Sequence, residues 1–413
     1  MFGKGALIAI VGFAVAFSIY QLNLNRTINH TMDNVADQYM NMALHQAVIS
    51  GMNVAVNDVW ANSTTSANFN IITDLCSTRV TISQPDPDTV EVRSKSWTTV
   101  FDPISGGNQL LEDSVFAAFA YNAPVSRYYS FMDSIPHLYY IGGDTIWGRV
   151  HSNTKIWTSG NPVFYGKVTA RQAIIPNPGT PASSAEFLDG WEIGLDISLP
   201  TDLSYLINSA ISDNGTAPIN TVCMYDRVTT FEFLYTGSII RTVGSDPPDT
   251  VALATIAPGG VIYSTADVRV KGVIDGRLTI YSTQNIWIDD DMVYRVDPSL
   301  DPTSDDMLGL IAGQSVMITD NVPNNSDVII HGSILAIHGH FMAENYASRP
   351  IAGHLYRVGS TAQQVAGAMG TFNPAHGIQS GFITIGRYDN RLSTTSPPRF
   401  PFVRELSLAS WWE

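Results

Sequence analysis

The sequence predicts a mainly β protein that begins with one long α-helix. Three observations predict it. No charged residue lies between Lys4 and Arg26, and residues 6–20 are almost wholly apolar. Helical spacing of apolar residues continues well past that run. Beyond Pro85 the texture changes to short alternating runs broken by Gly, Asn, Asp and Pro. The long helix is thus expected to lead into a β-solenoid-like (right-handed β-helix-like) domain, with a β-sandwich as the alternative.

The uncharged stretch, of about 20 residues, is about 30 Å long as a helix, enough to cross a bilayer. Lys4 before it favours a cytoplasmic N-terminus. After Arg26 the pattern does not stop. Ile28, Met32, Val35, Tyr39 and Met42 recur at three- and four-residue spacing, beside a second stripe of Ala36, Met40, Ala43 and Ala47. No proline precedes Pro85. One helix over residues 6–60 is expected, with a bend at Gly51 as an option. Its outer half is amphipathic and must bury its stripe on something. The polar segment 62–68 reads as its terminating linker.

A short leader ending in Lys4-Gly5, followed by Ala6 opening an apolar helix that turns amphipathic, resembles a type IV prepilin. Residues 43–51 resemble the small-residue segment of the larger minor pilins and pseudopilins. The resemblance implies cleavage between Gly5 and Ala6 and packing of the apolar helix in a filament core. Most pilins carry a glutamate at the fifth mature position. Ile10 stands there in this chain, as in certain minor, tip-located pseudopilins. Two simpler readings compete: a secretory signal cleaved after Ala14-Val15-Ala16, and a plain single-span anchor.

Two blocks share a rhythm expected of stacked short rungs. One runs from Gly143-Asp-Thr-Ile-Trp-Gly-Arg-Val-His-Ser-Asn153 to Val168, the other from Gly260 through Gly272 and Gly276 to Ile288. Tight corners need positive φ, which glycine supplies, and inward positions need branched apolar residues. Further rungs are expected at 310–311, 316–318, 328–330 and 334–337. A helix is expected near 110–121 from Leu111, Val115, Phe116 and Phe119, and another near 203–212, capped by Asp202 or Thr201. The expected organisation is a leader (1–5), the membrane and filament helix (6–60), a linker with first strands (61–84) and a β-rich exterior domain with loop insertions (85–413). At 413 residues the chain is long enough for two or three packing units. The same blocks resemble an uncharacterised domain of large bacterial envelope proteins, which implies no activity. That likeness rests on the 143–153 pattern, Gly370-Thr-Phe372, and Tyr388-Asp-Asn-Arg-Leu392 before Pro397-Pro398.

Composition narrows the function. Lys and Arg number 22 against 37 Asp and Glu, a net charge of −15, which repels phosphate backbones and argues against nucleic acid. No phosphate-binding loop is present, and no cofactor is expected. Asp289, Asp290, Asp291 and Asp297 form the Ca²⁺ candidate, against a solvated turn. His331, His338 and His340 are a zinc candidate without a matching carboxylate or thiolate. Cys76 and Cys223 can form one disulfide outside the cytoplasm or remain two buried thiols. Asp144, Asp275, Asp289 and Arg277, with Trp147, Trp157 and Trp287, would serve a glycan-cleaving enzyme if they converged.

The preferred reading is a non-catalytic, pilin-like structural or adhesive subunit of a type IV-style filament or secretion pseudopilus. Its expected partners are other pilin-like subunits, the assembly machinery, the inner membrane before assembly, and surface glycans. It would sit in the inner membrane by its helix and then at the cell surface. Helix packing is assigned to Ala9, Gly12 and Ala16, small residues on one face. The alternative is a membrane-anchored, polysaccharide-active β-helix enzyme.

Overall fold

The computed structural model describes residues 2–62, 64–86, 89–102, 106–136, 138–373 and 376–413. It is mainly β, with a helix at Phe2–Asn62 that spans 61 residues without interruption. At 1.5 Å per residue this helix is about 90 Å long. The chain divides into two compact units: residues 1–122 with 405–413, and residues 123–404.

In the first unit, five neighbouring strands run in the order Ala67–Ile72, Ser77–Asp86, Thr89–Asp102, Gly107–Pro124 and Phe402–Trp412. The first four pair antiparallel. Leu44, Val48, Met52, Ala55 and Val59 recur at four, four, three and four residues and are buried. Val48, Met52, Ala55 and Val59 pack on Val80, Val92, Val115 and Phe119. Gly51 is no hinge. A Cβ there would lie 2.7 Å from Ser94 Oγ and 3.0 Å from Val80 Cγ2, so this glycine lets the helix approach the sheet closely.

Two expectations are corrected here. Residues 110–121 are not helical but lie in the strand Gly107–Pro124, paired along its length with Thr89–Asp102. The burial period is two: Val115, Ala117 and Phe119 face the helix, while Arg93 lies over the ring of Phe116 on the other side. The expected boundary at residue 85 also falls inside this sheet, because Ser77–Asp86 pairs with Thr89–Asp102. Backbone pairing, not the change in texture after Pro85, decides which unit a strand joins.

The second unit is inserted in sequence between the strands Gly107–Pro124 and Phe402–Trp412, and its entry and exit meet where the Val125 N–H donates to Pro401 O at 2.9 Å. It is a solenoid of parallel strands, each paired with a strand one turn away. Val261–Ser264, Arg277–Ser282, Met307–Ala312, Val328–Ala336 and Ile351–Val365 stack in this way. Ile351–Val365 then pairs with the unit's first strand, Tyr128–Ser134, and the stack continues through Arg149–Ser152, Val168–Ala170 and Trp191–Ile193. The chain thus enters the solenoid in its middle, runs to one end, crosses over, and returns from the other end at Met224–Tyr225. Among the described residues no sandwich of two antiparallel sheets is formed.

The crossover contains the expected short helix, Ser204–Asn214, whose first N–H donates to Asp202 Oδ1 at 2.9 Å. It covers an outward ladder of Tyr263, Tyr281, Ile311, Leu335, Ala362 and Phe131 with Ile197, Leu203, Leu206 and Ala210. The motif at 143–153 holds it there. Asn153 Nδ2 donates to Ile197 O at 2.7 Å, and Asn153 Oδ1 accepts from Ile197 N–H at 3.1 Å and lies 2.8 Å from His151 Nε2.

His331 is buried within the solenoid, and its Nδ1 accepts the Tyr294 N–H at 3.1 Å. Burial lowers its pKa, opposed by Asp297 and Asp389. The folded pKa therefore lies below the unfolded value of about 6.5, so the stabilisation is full above that pH and is lost as pH falls through the folded value. In urea titrations, the advantage of the wild type over His331→Gln should narrow between about pH 7.5 and 5. A constant difference would show that the fold does not perturb this histidine.

Candidate functional site

The N-terminal helix divides its own length into covered and bare parts. From Leu44 onward one face is buried against the sheet. Before it, every described side chain from Leu7 to Tyr39 is exposed. The apolar first part is long enough to cross a membrane. A bilayer core needs only about 20 helical residues, which end near Arg26. The stripe beyond that point is bare as well: Ile28, Met32, Val35, Tyr39 and Met42 are 46%, 66%, 59%, 60% and 62% exposed. Fully burying such a side chain is worth about 1.5–3 kcal/mol, and neither lipid tails nor this chain covers these.

Ala9, Gly12 and Ala16 share one exposed face of the same helix, and nothing lies within 4 Å of the position a Gly12 Cβ would take. Within the chain, that glycine answers no packing demand. The expected cleavage point, Gly5 and Ala6, falls within the helix, but those side chains lie outside the described residues.

The other candidates are dispersed. Asp289 is held by Arg269, whose Nε donates at 2.7 Å, and also accepts from Thr319 Oγ1 at 2.7 Å. Asp290 accepts the Asp291 N–H at 2.8 Å, Asp291 accepts the Ile329 N–H at 2.7 Å, and Asp297 caps its own turn at Ser299. Burial, and the neighbouring Asp290 charge, raise the Asp291 pKa. Among the described residues no three His, Cys, Asp or Glu side chains come together, so the four aspartates do not form a Ca²⁺ cage. His340 Nδ1 lies 3.2 Å from Val365 O, away from the buried His331. Cys76 and Cys223 are unbonded and buried. Of the two options left open by the sequence, the buried free thiols are the one found, Cys76 in the first unit and Cys223 in the second. Cys76 lies beside Thr73, and the Cys223 thiol donates to Ala210 O at 3.2 Å, with burial pushing its pKa up to about 11.

The enzyme candidates each have a partner of their own. Asp275 pairs with Arg295 at 2.9 Å, Arg277 donates to Ser396 O at 3.1 Å, and Asp144 accepts the Ile141 N–H at 2.7 Å. Trp147 stacks on Tyr165 at 4.0 Å, and the Trp287 ring carries Arg269 and donates to Asp267. Arg391 of the 388–392 motif staples Asp389 to the loop carbonyls of Ser304 and Asp306. The sequence reading missed the buried stripe from Leu44 to Val59, although its four- and three-residue spacing was visible.

No protein-family model matches this chain, and no curated protein matches it. A solved structure, titled as the competence-associated pilin ComZ from Thermus thermophilus, is similar at 10% identity and a TM-score of 0.27. The alignment covers 84% of this chain and 87% of that one. A TM-score this low decides neither fold nor function.

Proposed function

We propose that this chain is a non-catalytic, pilin-like subunit whose N-terminal helix is stored in a membrane and then packs against the helices of neighbouring subunits. One observation carries the reading. The apolar stripe from Ile28 to Met42 is bare on a stretch of helix that a bilayer does not reach. A single-span anchor has no use for that stripe, whereas a bundle of parallel subunit helices buries it. The same helix then carries an antiparallel sheet, and the solenoid is an insertion in that sheet. The reading makes the solenoid the part offered to the surroundings, in a structural or adhesive role. The separate pairing of Asp144, Asp275, Asp289 and Arg277 speaks against the glycan-cleaving alternative, which needs convergent carboxylates.

The test is the mature N-terminus. Mass spectrometry of the native protein should find Ala6 as its first residue, with Gly5 and everything before it removed. A start at Phe17 would mean an ordinary secretory signal, and an intact Met1 a plain anchor.

A further inference from the structure

The solenoid's interior changes character where its two stacks meet. The inward ladder Ile262, Ile280, Leu310 and Ile334 gives way to Thr361 and Ser130 before resuming at Val150 and Val168. The strand Ile351–Val365 is shared there. Its first part pairs with Gly377–Arg387 and its last part with Tyr128–Ser134, so the two walls diverge. Between them lies a cavity of about 620 Å³, which falls in the range of small-molecule sites, ~300–1,000 Å³.

Its lining is apolar at Met132, Leu355, Ile378 and Phe382, with one cation, Arg357. Arg357 is only 9% exposed. It donates to Thr361 Oγ1 and lies over the Tyr129 ring at 4.6 Å, while its Nε has no partner. No carboxylate pairs with it among the described residues. Among the described residues the one acidic lining side chain is Asp144, which accepts the Ile141 N–H of its own loop. A buried charge without a counter-ion is costly, and a planar guanidinium matches a carboxylate with two parallel hydrogen bonds. Tyr140, hydrogen-bonded to Ser130, adds a neutral hydroxyl to the lining.

We propose that this cavity binds a small apolar monocarboxylate, with its carboxylate on Arg357 and its body against Met132, Leu355 and Ile378. The site is independent of the filament reading. The test is calorimetric titration of the full chain in lipid nanodiscs, with empty nanodiscs subtracted. Phenylbutyrate, phenylbutanol and phenylbutylamine share one apolar body and differ in the head group. The acid should bind about tenfold more tightly than the alcohol, and the amine more weakly than either. Arg357→Met should bring the acid down to the alcohol's affinity and leave the alcohol unchanged. Thr384→Trp, at the exposed rim, should block both without disturbing the interior. Should Arg357→Met fail to fold, the wild-type comparison and the rim variant still decide. Equal binding of acid and alcohol by the wild type, no binding of the acid at millimolar concentration, or unchanged binding after Thr384→Trp would each overturn the proposal.

Discussion

Gly359→Val should unfold the solenoid or bring it close to unfolding. Gly359 lies directly beside Gly332 in the neighbouring rung, at φ +137°. Only glycine adopts this conformation without strain, and a β-branched residue fares worst. A Cβ there would press into the Gly332 carbonyl, 2.7 Å from its carbon and nearer still to its oxygen. Retreat of either strand is opposed on its far side, where Ser333 to Ala336 pair with Gly309 to Ala312 and Ile351 to Val358 pair with Gly381 to Arg387. Backbone strain of about 1–3 kcal/mol and overpacking of similar size add to a loss of roughly 2–6 kcal/mol. Gly179→Ala is the control: its φ is +75°, but nothing lies within 4 Å of the new Cβ. Its cost should stay near 1 kcal/mol, the strain alone. Urea unfolding followed by tryptophan fluorescence separates the two. If the Val variant unfolds at the wild-type midpoint, the rungs are not stacked in this register.

Val35→Asp should abolish incorporation into surface filaments while leaving the membrane-bound pool and the fold intact. Val35 is 59% exposed and lies outside the cluster that joins the helix to its sheet. Within the isolated chain the change is a surface substitution, worth within about 0.5 kcal/mol. At a helix–helix interface the new carboxylate is buried without a partner, which costs several kcal/mol at every contact in the assembly. Gly12→Leu probes the membrane part. It should leave insertion unchanged, since lipid tolerates Leu, but weaken close helix approach beside Ala9 and Ala16. The measurement is the ratio of protein in the sheared surface fraction to protein in the membrane fraction. If both variants keep the wild-type ratio with filaments present, the helix is an anchor only.

What the sequence determined by itself was local and periodic. The helix was legible over nearly its whole length, because apolar spacing near three and four persists from Ile28 onward with no proline before Pro85. The rungs at 261–264, 286–288 and 316–318 were legible because short strands alternate between corner residues, whereas the two expected at 328–330 and 334–337 are one continuous strand, Val328–Ala336. Asp202 at the start of the crossover helix was legible for the same local reason.

Tertiary structure decided what periodicity does not encode. In residues 110–121, apolar residues at consecutive positions satisfied a helical face as well as a strand, and only pairing with Thr89–Asp102 chose between them. Which helical stripe is covered was also decided in three dimensions. The Leu44 stripe meets a sheet, while the Ile28 stripe, also apolar, stays exposed. The order of rungs is the largest such decision. Tyr128–Ser134 pairs with Ile351–Val365, more than two hundred residues later, because the chain enters its solenoid in the middle. That contact sets Ser130 beside Thr361, the hydroxyl that accepts from Arg357 on the same strand. Neither spacing nor composition could have assembled them, since long-range pairing brings together residues that local sequence keeps apart.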